Sequence, residues 1–425
     1  MPVTSPEIHA VIKAAIAERR EAIGRLLLDL VAAESVTGNE SEVQGVVSRE
    51  LKQRGLQVDS WVATPEEIAP YQMHVGDQAV WVNRPNIVGK RTGSGGGPTL
   101  MLQGHVDTVP IEDPALWTTN PAGELRGDKI YGRGAADMKG GVASFISALD
   151  AIDVAGIKLK GDVMIATTVG EEDGGLGALS LVLRGHRADG IVITEPTELK
   201  VIVAHGGSLV FRITVPGRGA HGAHRNSGVS AFEKFIPIFY DLLAWEQERN
   251  DTLSHPLYDH LENKFPIAVG VVKSGTWAST VPESLIAEGR LGFLPGETIE
   301  EMQRAAEARI KAVADQDEWL REHPPIVEWF GGQFASAEVS PDSPVAKAVR
   351  AAHLQVTGAE PEIAAITAGL DLRLFTEIGK MEAVAYGAGD VRYVHCPDEF
   401  IIVDDILVAV ETLALTIIEF CGVAE

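Results

Sequence analysis

Gly104-His105-Val106-Asp107-Thr108-Val109-Pro110 and, further along, Gly132-Arg133-Gly134-Ala135-Ala136-Asp137-Met138-Lys139-Gly140-Gly141 frame the stretch of sequence from which the fold is read. Pro-Thr-Leu-Met-Leu-Gln at 98–103 is a short apolar run of the kind that forms a buried strand. His105 and Asp107 then fall where that strand ends, which is where ligands bind in α/β sheets. A histidine followed two residues later by a carboxylate suits a metal ligand and its partner, because the carboxylate can accept the other ring N–H. Asp137 stands in a glycine-rich turn ahead of a helical pattern at 139–152, so a second carboxylate is offered beside a helix start. Taken singly, Asp107 and Asp137 are equally well read as turn or N-cap residues.

Outward from this stretch the chain alternates. Helical spacing runs through 5–33, predicting one long amphipathic helix, and a second helix is expected over 39–56. Scattered proline and glycine make 61–85 an irregular excursion. Short strands are expected at 86–90, 162–169 and 190–194, with a helix at 176–183. Strands alternating with helices imply a mostly parallel sheet covered on both faces. The pattern changes near His205-Gly206-Gly207. Alternation at 208–215, helices at 229–245 and 297–313, and strands at 267–273 and 284–294 suit a small α+β unit with helices on one face of an antiparallel sheet. Pro324-Pro325 marks the return, and 345–357, 384–386 and 404–420 resume the first pattern. The expected organisation is a catalytic domain in two parts, 1–206 and 326–425, with a lid at 207–325 inserted between them.

The chain has 425 residues, 45% hydrophobic and 23% charged, with a formal net charge of -24. The length exceeds what one core usually serves, and the acidity disfavours nucleic acid or an anionic membrane as partner. Met1-Pro2-Val3-Thr4-Ser5-Pro6-Glu7 has neither the basic nor the apolar segment of a leader, and no apolar run is long enough to span a bilayer. Two cysteines, Cys396 and Cys421, make no disulfide framework and no zinc motif. A cytoplasmic location and a small-molecule substrate are the expectation.

Further carboxylates and a histidine follow the same rule of position. Glu171-Glu172 directly follows an apolar strand, Glu195 follows the next, and His395 precedes the final helix. Of two adjacent acids, one can ligate a cation while the other works as a base on the attacking water. His105, Asp137, Glu172, Glu195 and His395 together supply two imidazoles and three carboxylates. That set suits two divalent ions bridged by one carboxylate, with zinc, manganese and cobalt all compatible with nitrogen and oxygen ligands.

In order along the chain, His-Val-Asp-Thr-Val-Pro, Gly-Arg-Gly-Ala-Ala-Asp-Met-Lys-Gly-Gly, Gly-Glu-Glu, Glu-Pro-Thr and the late histidine resemble the co-catalytic metallopeptidase and deacylase family. That family includes acetylornithine deacetylase, succinyl-diaminopimelate desuccinylase, aminoacylase and glutamate carboxypeptidase. The resemblance implies an α/β aminopeptidase-like catalytic domain and a ferredoxin-like lid and dimerisation domain. It implies that Asp137 bridges two metal ions, with His105 and Glu195 on one and Glu172 and His395 on the other. It further implies Glu171 as general base, Asp107 as partner of His105, and a cis peptide bond between Asp137 and Met138. Gly219-Ala220-His221 resembles the family motif whose histidine reaches the neighbouring subunit of a homodimer and stabilises the oxyanion. Arg290 matches an arginine that binds substrate carboxylate, or is an exposed strand arginine. His205 and His224 are read as hinge or loop residues and Cys396 as a packed thiol.

Arg225-Asn226 and Ser279 stand where many members carry Pro-His and Asn. These departures resemble a subgroup described as acetylornithine deacetylase-like or as deformylase of an aminomethylpyrimidine. The expected activity is removal of a small acyl group (acetyl, formyl or succinyl) from an amino-acid-like amine. The alternatives are cleavage of a heterocyclic C–N bond, a carboxypeptidase or dipeptidase, and a metal-binding protein with a retired site.

Overall fold

In the computed structural model, which describes residues 4–77 and 80–424, the apolar run at Leu100–His105 is a fully buried strand inside a nine-stranded sheet. Val163–Thr168 on one side and Gly190–Ile193 on the other run parallel to it, and Ala383–Ala385 continues the parallel block. Antiparallel pairs flank this centre: Gln57–Val62 with Pro85–Arg91 at one end, and Ala337–Glu338 with Val201–His205 at the other. The central strands read as unbroken apolar runs because both faces are covered. Leu102, Ile165 and Val192 face helices Gly140–Val154, Pro344–Thr357 and Val403–Cys421, whereas Met101, Met164, Ile191 and Ile193 face helix Leu176–Leu183. Successive side chains point to opposite faces of a strand, so neighbouring residues serve different cores.

Gly141 explains the double glycine of the second motif. A Cβ there would come 2.1 Å from the Thr194 carbonyl oxygen, so only glycine lets the helix start this close to the end of the Gly190–Ile193 strand.

A second sheet, all antiparallel, takes the order Ile267–Ser274, Ser284–Phe293, Gly207–Pro216, Ile326–Trp329. Gly207–Pro216 alternates buried and half-buried residues along its length. Its inward residues Leu209, Phe211, Ile213 and Val215 meet Phe235, Ile238, Leu242 and Trp245 of helix Ala231–Thr252 and Met302, Ala306 and Ile310 of helix Ile299–Ala314. One polar and one packed face is what an antiparallel sheet with helices on one side requires. Strand Ile326–Trp329 belongs to this sheet, so the second sheet extends beyond residue 325.

Two local expectations differ. The single helix over 5–33 is two, Pro6–Glu18 and Arg20–Ala32, parted at Arg19. No glycine or proline marks the break; the Arg19 guanidinium turns to the buried carboxylate of Asp150 on helix Gly140–Val154. The stretch 61–85 holds short helical turns at Pro65–Ile68, Ala69–Tyr71 and Gln72–Val75, the first closed by a Thr64–Glu67 capping box; residues 78 and 79 of that stretch lie outside the described residues, as do residues 1–3 of the N-terminal segment. Among the described residues no helix is long and apolar enough to cross a membrane.

Candidate metal centre

Three consecutive parallel strands deliver their following residues to one end of the sheet. His105 closes Leu100–His105, Glu171 and Glu172 follow Val163–Thr168, and Glu195 follows Gly190–Ile193. Asp137 comes from the glycine-rich turn before helix Gly140–Val154, and His395 from the loop before strand Phe400–Ile402. The Asp137–Met138 peptide bond is cis.

Asp137 lies between the two histidines. Its Oδ1 is 3.0 Å from His105 Nε2 and its Oδ2 is 3.3 Å from His395 Nε2. Glu172 Oε1 is 3.1 Å from His395 Nε2, and Glu195 Oε1 is 3.9 Å from His105 Nε2. One potential ligand atom from each of His105, Asp137 and Glu172 lies within 4.8 Å of the others. Glu195 is buried, and its Oε1 has no hydrogen-bond partner among the described residues. A buried carboxylate oxygen without a donor is costly unless a cation meets it. The donor set of imidazole nitrogens and carboxylate oxygens therefore fits divalent ions.

The electrostatics agree with that fit. Burial opposes charge on His105, yet the hydrogen bond to Asp137 and the charges of Glu195, Asp137 and Asp107 hold its pKa well above the usual value. Hydrogen bonds to Asp137 and Glu172 push His395 up to about 10. An anionic field that retains protons on two imidazoles is one that attracts cations, which would displace those protons. Desolvation drives the Glu171 carboxyl well above the ordinary range, helped by Asp371, Glu195 and Glu172 and opposed by His105.

Asp107 does more than sit beside His105. The ring Nδ1 is 3.0 Å from the Asp107 carbonyl oxygen and 3.6 Å from Oδ1 of its carboxylate. That carboxylate instead accepts the backbone N–H groups of Glu171 and Glu172, at 3.1 and 3.2 Å, and the Thr37 hydroxyl at 2.9 Å. It fixes the turn that carries both glutamates.

Two groups in this region have no mark in the sequence motifs. Glu399 is fully buried; its Oε1 accepts the backbone N–H groups of Ala136 and Asp137, and its Oε2 takes Arg133 Nη1 at 2.6 Å. Its place four residues after His395 is the only signal available in the sequence. Asp371, buried behind Glu171, receives Gln103 Nε2 at 3.4 Å, and burial pushes its carboxyl up to about 6.

Of the remaining candidates, His221 and Arg290 lie on the second sheet and its attachments, His205 ends a strand of the large sheet, and Cys396 directly follows His395. His221 is exposed; the Ala223 N–H donates to its Nδ1 at 3.1 Å, which puts the ring proton on Nε2. Arg290, half-buried on strand Ser284–Phe293, donates from Nη2 to the Thr367 carbonyl at 3.1 Å, and its Nε has no partner among the described residues. His205 is buried, with Nδ1 2.9 Å from the Gly206 carbonyl oxygen. Cys396 and Cys421 are free, and the Cys396 thiol lies on the Tyr393 carbonyl.

Comparison with known proteins gives a consistent set of relatives. The family described as Peptidase family M20/M25/M40 matches residues 101–419. An N-formyl-4-amino-5-aminomethyl-2-methylpyrimidine deformylase of Bacillus subtilis (strain 168) is 27% identical over 405 residues, covering 90% of this chain and 90% of that protein. An acetylornithine deacetylase of Myxococcus xanthus is 29% identical over 347 residues, or 80% of this chain and 85% of the relative. In fold, the chain is similar to a crystal structure of a dinuclear metal binding peptidase of the M20 family from Bacillus subtilis. The TM-score is 0.64 at 15% identity, covering 95% of this chain and 99% of that one.

Proposed function

The chain belongs to peptidase family M20/M25/M40, and from that premise we propose that it is a metal-dependent amidohydrolase that removes a small acyl group from an amine. The observation that carries this reading is Asp137 set between His105 and His395, with Glu172 and Glu195 beside them and Glu171 adjacent. Relatives named as a deformylase and a deacetylase, each matched over 80% or more of both chains, support acyl removal. A dinuclear member of the family supports two ions per chain, with zinc, manganese and cobalt all served by these ligands. Asp137 would bridge them, His105 and Glu195 completing one site and Glu172 and His395 the other. Bound there, two divalent cations would polarise the amide carbonyl and make water acidic enough to ionise near neutral pH.

The chain's own groups do the rest. Glu171 takes the proton of the attacking water and returns it to the leaving nitrogen; a carboxyl pKa raised by burial suits both halves of that task. Asp107 holds the Glu171-Glu172 turn and the His105 ring in place. Arg290, whose buried Nε has no partner among the described residues, would bind a substrate carboxylate. We divide the chain into catalytic parts 1–206 and 326–425 and a lid 207–325, with the lid's sheet continued by Ile326–Trp329.

The lid is also the proposed means of self-association into a homodimer. Phe232, Ile236, Tyr240 and Leu243 form an exposed stripe along helix Ala231–Thr252, and Ile267–Ser274 is an edge strand with Val271 and Val272 exposed. Such a face covered by a second copy gives an isologous pair. His221 would then offer its Nε2 proton to the oxyanion in the partner subunit's site, worth on the order of 10²–10³ in turnover.

Incubating the protein, loaded with zinc, manganese or cobalt, with N-formyl, N-acetyl and N-succinyl amines and with dipeptides tests the reading. Release of formate, acetate or succinate is expected. Turnover of dipeptides alone would replace it with a peptidase.

A further inference from the structure

Four of the five residues read as metal ligands are held by their surroundings, and one is not. The side chains of His105, Asp137, Glu172 and Glu195 are between 1% and 14% exposed, whereas that of His395 is 47% exposed. Packing restrains the first four, so the aim of His395 depends on the backbone of its loop. That backbone is unusual. His395 has a φ of 58°, and so does Asp398 three residues on. Left-handed conformations are uncommon outside glycine, and two so close together persist where the surrounding structure holds them.

The hold comes from Asp398 itself. Its Oδ1 accepts the backbone N–H groups of Thr118 and Thr119 at 2.8 and 2.9 Å and the Thr119 hydroxyl at 2.7 Å, and its Oδ2 accepts the Thr118 hydroxyl at 2.6 Å. These hydrogen bonds draw its pKa down to about 2, so the carboxylate is ionised and each bond is charge-assisted. The receiving segment is anchored in turn. Trp117, beside Thr118, is buried; its indole N–H donates to the Ile111 carbonyl at 3.2 Å, and the Arg133 guanidinium lies 5.4 Å from the ring centroid. Arg133 pairs with Glu399, the neighbour of Asp398. Two adjacent carboxylates thus grip two different segments, and the loop that presents His395 runs directly into them.

We propose that Asp398 is a positioning residue for His395. It fixes the loop that aims the imidazole, and so sets the affinity of the one ion that His395 and Glu172 would share. The ion held by His105 and Glu195 relies on buried ligands and does not depend on it. This rests on the reading that His395 and Glu172 complete one of two sites.

The test counts zinc ions per chain as dipicolinate is raised over the zinc-loaded protein. Asp398→Gly removes the carboxylate while tolerating the positive φ. One ion is expected to leave at about 10- to 100-fold lower chelator, the second within about two-fold of the native concentration. The metal-free variant should melt within about 2 °C of the metal-free native protein. Asp398→Asn keeps Oδ1 for the two backbone N–H groups, and its amide can donate to the Thr118 hydroxyl, so most of the native retention should return. Loosening of both ions together, no change in either, an Asp398→Asn variant no better than Asp398→Gly, or a metal-free Asp398→Gly variant that melts several degrees lower would each overturn the proposal.

His395→Ala separates this idea from the reading beneath it. If that variant loosens one ion while Asp398→Gly loosens neither, the two-site reading stands and the Asp398 proposal falls. If the native protein holds fewer than two ions, or His395→Ala loosens neither, the site reading itself falls and the proposal with it.

Discussion

His205 shows how much one buried side chain can hold. It ends strand Val201–His205, its Nδ1 is on the Gly206 carbonyl oxygen, and its Nε2 meets no partner among the described residues. Burial pulls its pKa down to about 4, so the folded protein keeps the ring neutral while the unfolded chain protonates it near the ordinary value of about 6.5. Between those values the unfolded state binds the extra proton, and stability falls as pH falls. The expected contribution is a loss of about 3 kcal/mol on going from pH 7 to pH 4. Urea unfolding of the native protein and of His205→Gln should show a stability difference that shifts against the native protein over that range. A difference that stays flat would refute the account. Legibility at this scale followed chemistry: His105, Asp137, Glu171, Glu172 and Glu195 stand next to apolar runs or glycine turns, where position alone makes a polar residue informative. Glu399 and Asp371 did not stand out, because their partners are backbone amides, an arginine and a glutamine more than 250 residues away in sequence.

At the scale of elements, the loop carrying Asp137 and the loop carrying His395 are joined through Glu399. Its carboxylate is shared between the Ala136 and Asp137 amides and the buried Arg133 guanidinium. Glu399→Gln leaves Arg133 buried without its counter-charge, and breaking such a pair costs about 3–5 kcal/mol. The variant should melt several degrees lower and give up its metal ions to a chelator at lower concentration. Unchanged melting together with unchanged retention of metal would remove Glu399 from the account. Some periodic elements were legible to within a residue or two, as with 404–420 against Val403–Cys421, whereas the helix expected over 229–245 continues to Thr252. The break at Arg19 was hidden, because no helix-breaking residue stands there and its ion-pair partner, Asp150, lies far off in sequence. Strand Gln57–Val62 was hidden too: its exposed and half-buried residues give no apolar run.

For the whole molecule, the two-sheet organisation was readable from the switch between unbroken apolar strands and alternating ones, since each pattern reports how many faces a sheet buries. The proposed self-association rests on the exposed stripe on helix Ala231–Thr252. The pair Ile236→Asp and Tyr240→Asp should turn a dimer into a monomer in sedimentation velocity, with activity lost in parallel if the partner's His221 is required. A native protein that sediments as a monomer while fully active would contradict that arrangement. The central claim is that residues from five separated segments hold two ions while Glu171 moves the proton. Metal analysis of Glu171→Gln, made alongside its turnover, tests this most directly. The account predicts two ions per chain, as in the native protein, with activity lower by roughly 10²–10⁴-fold. A variant that has lost an ion, or that keeps native turnover, would contradict it.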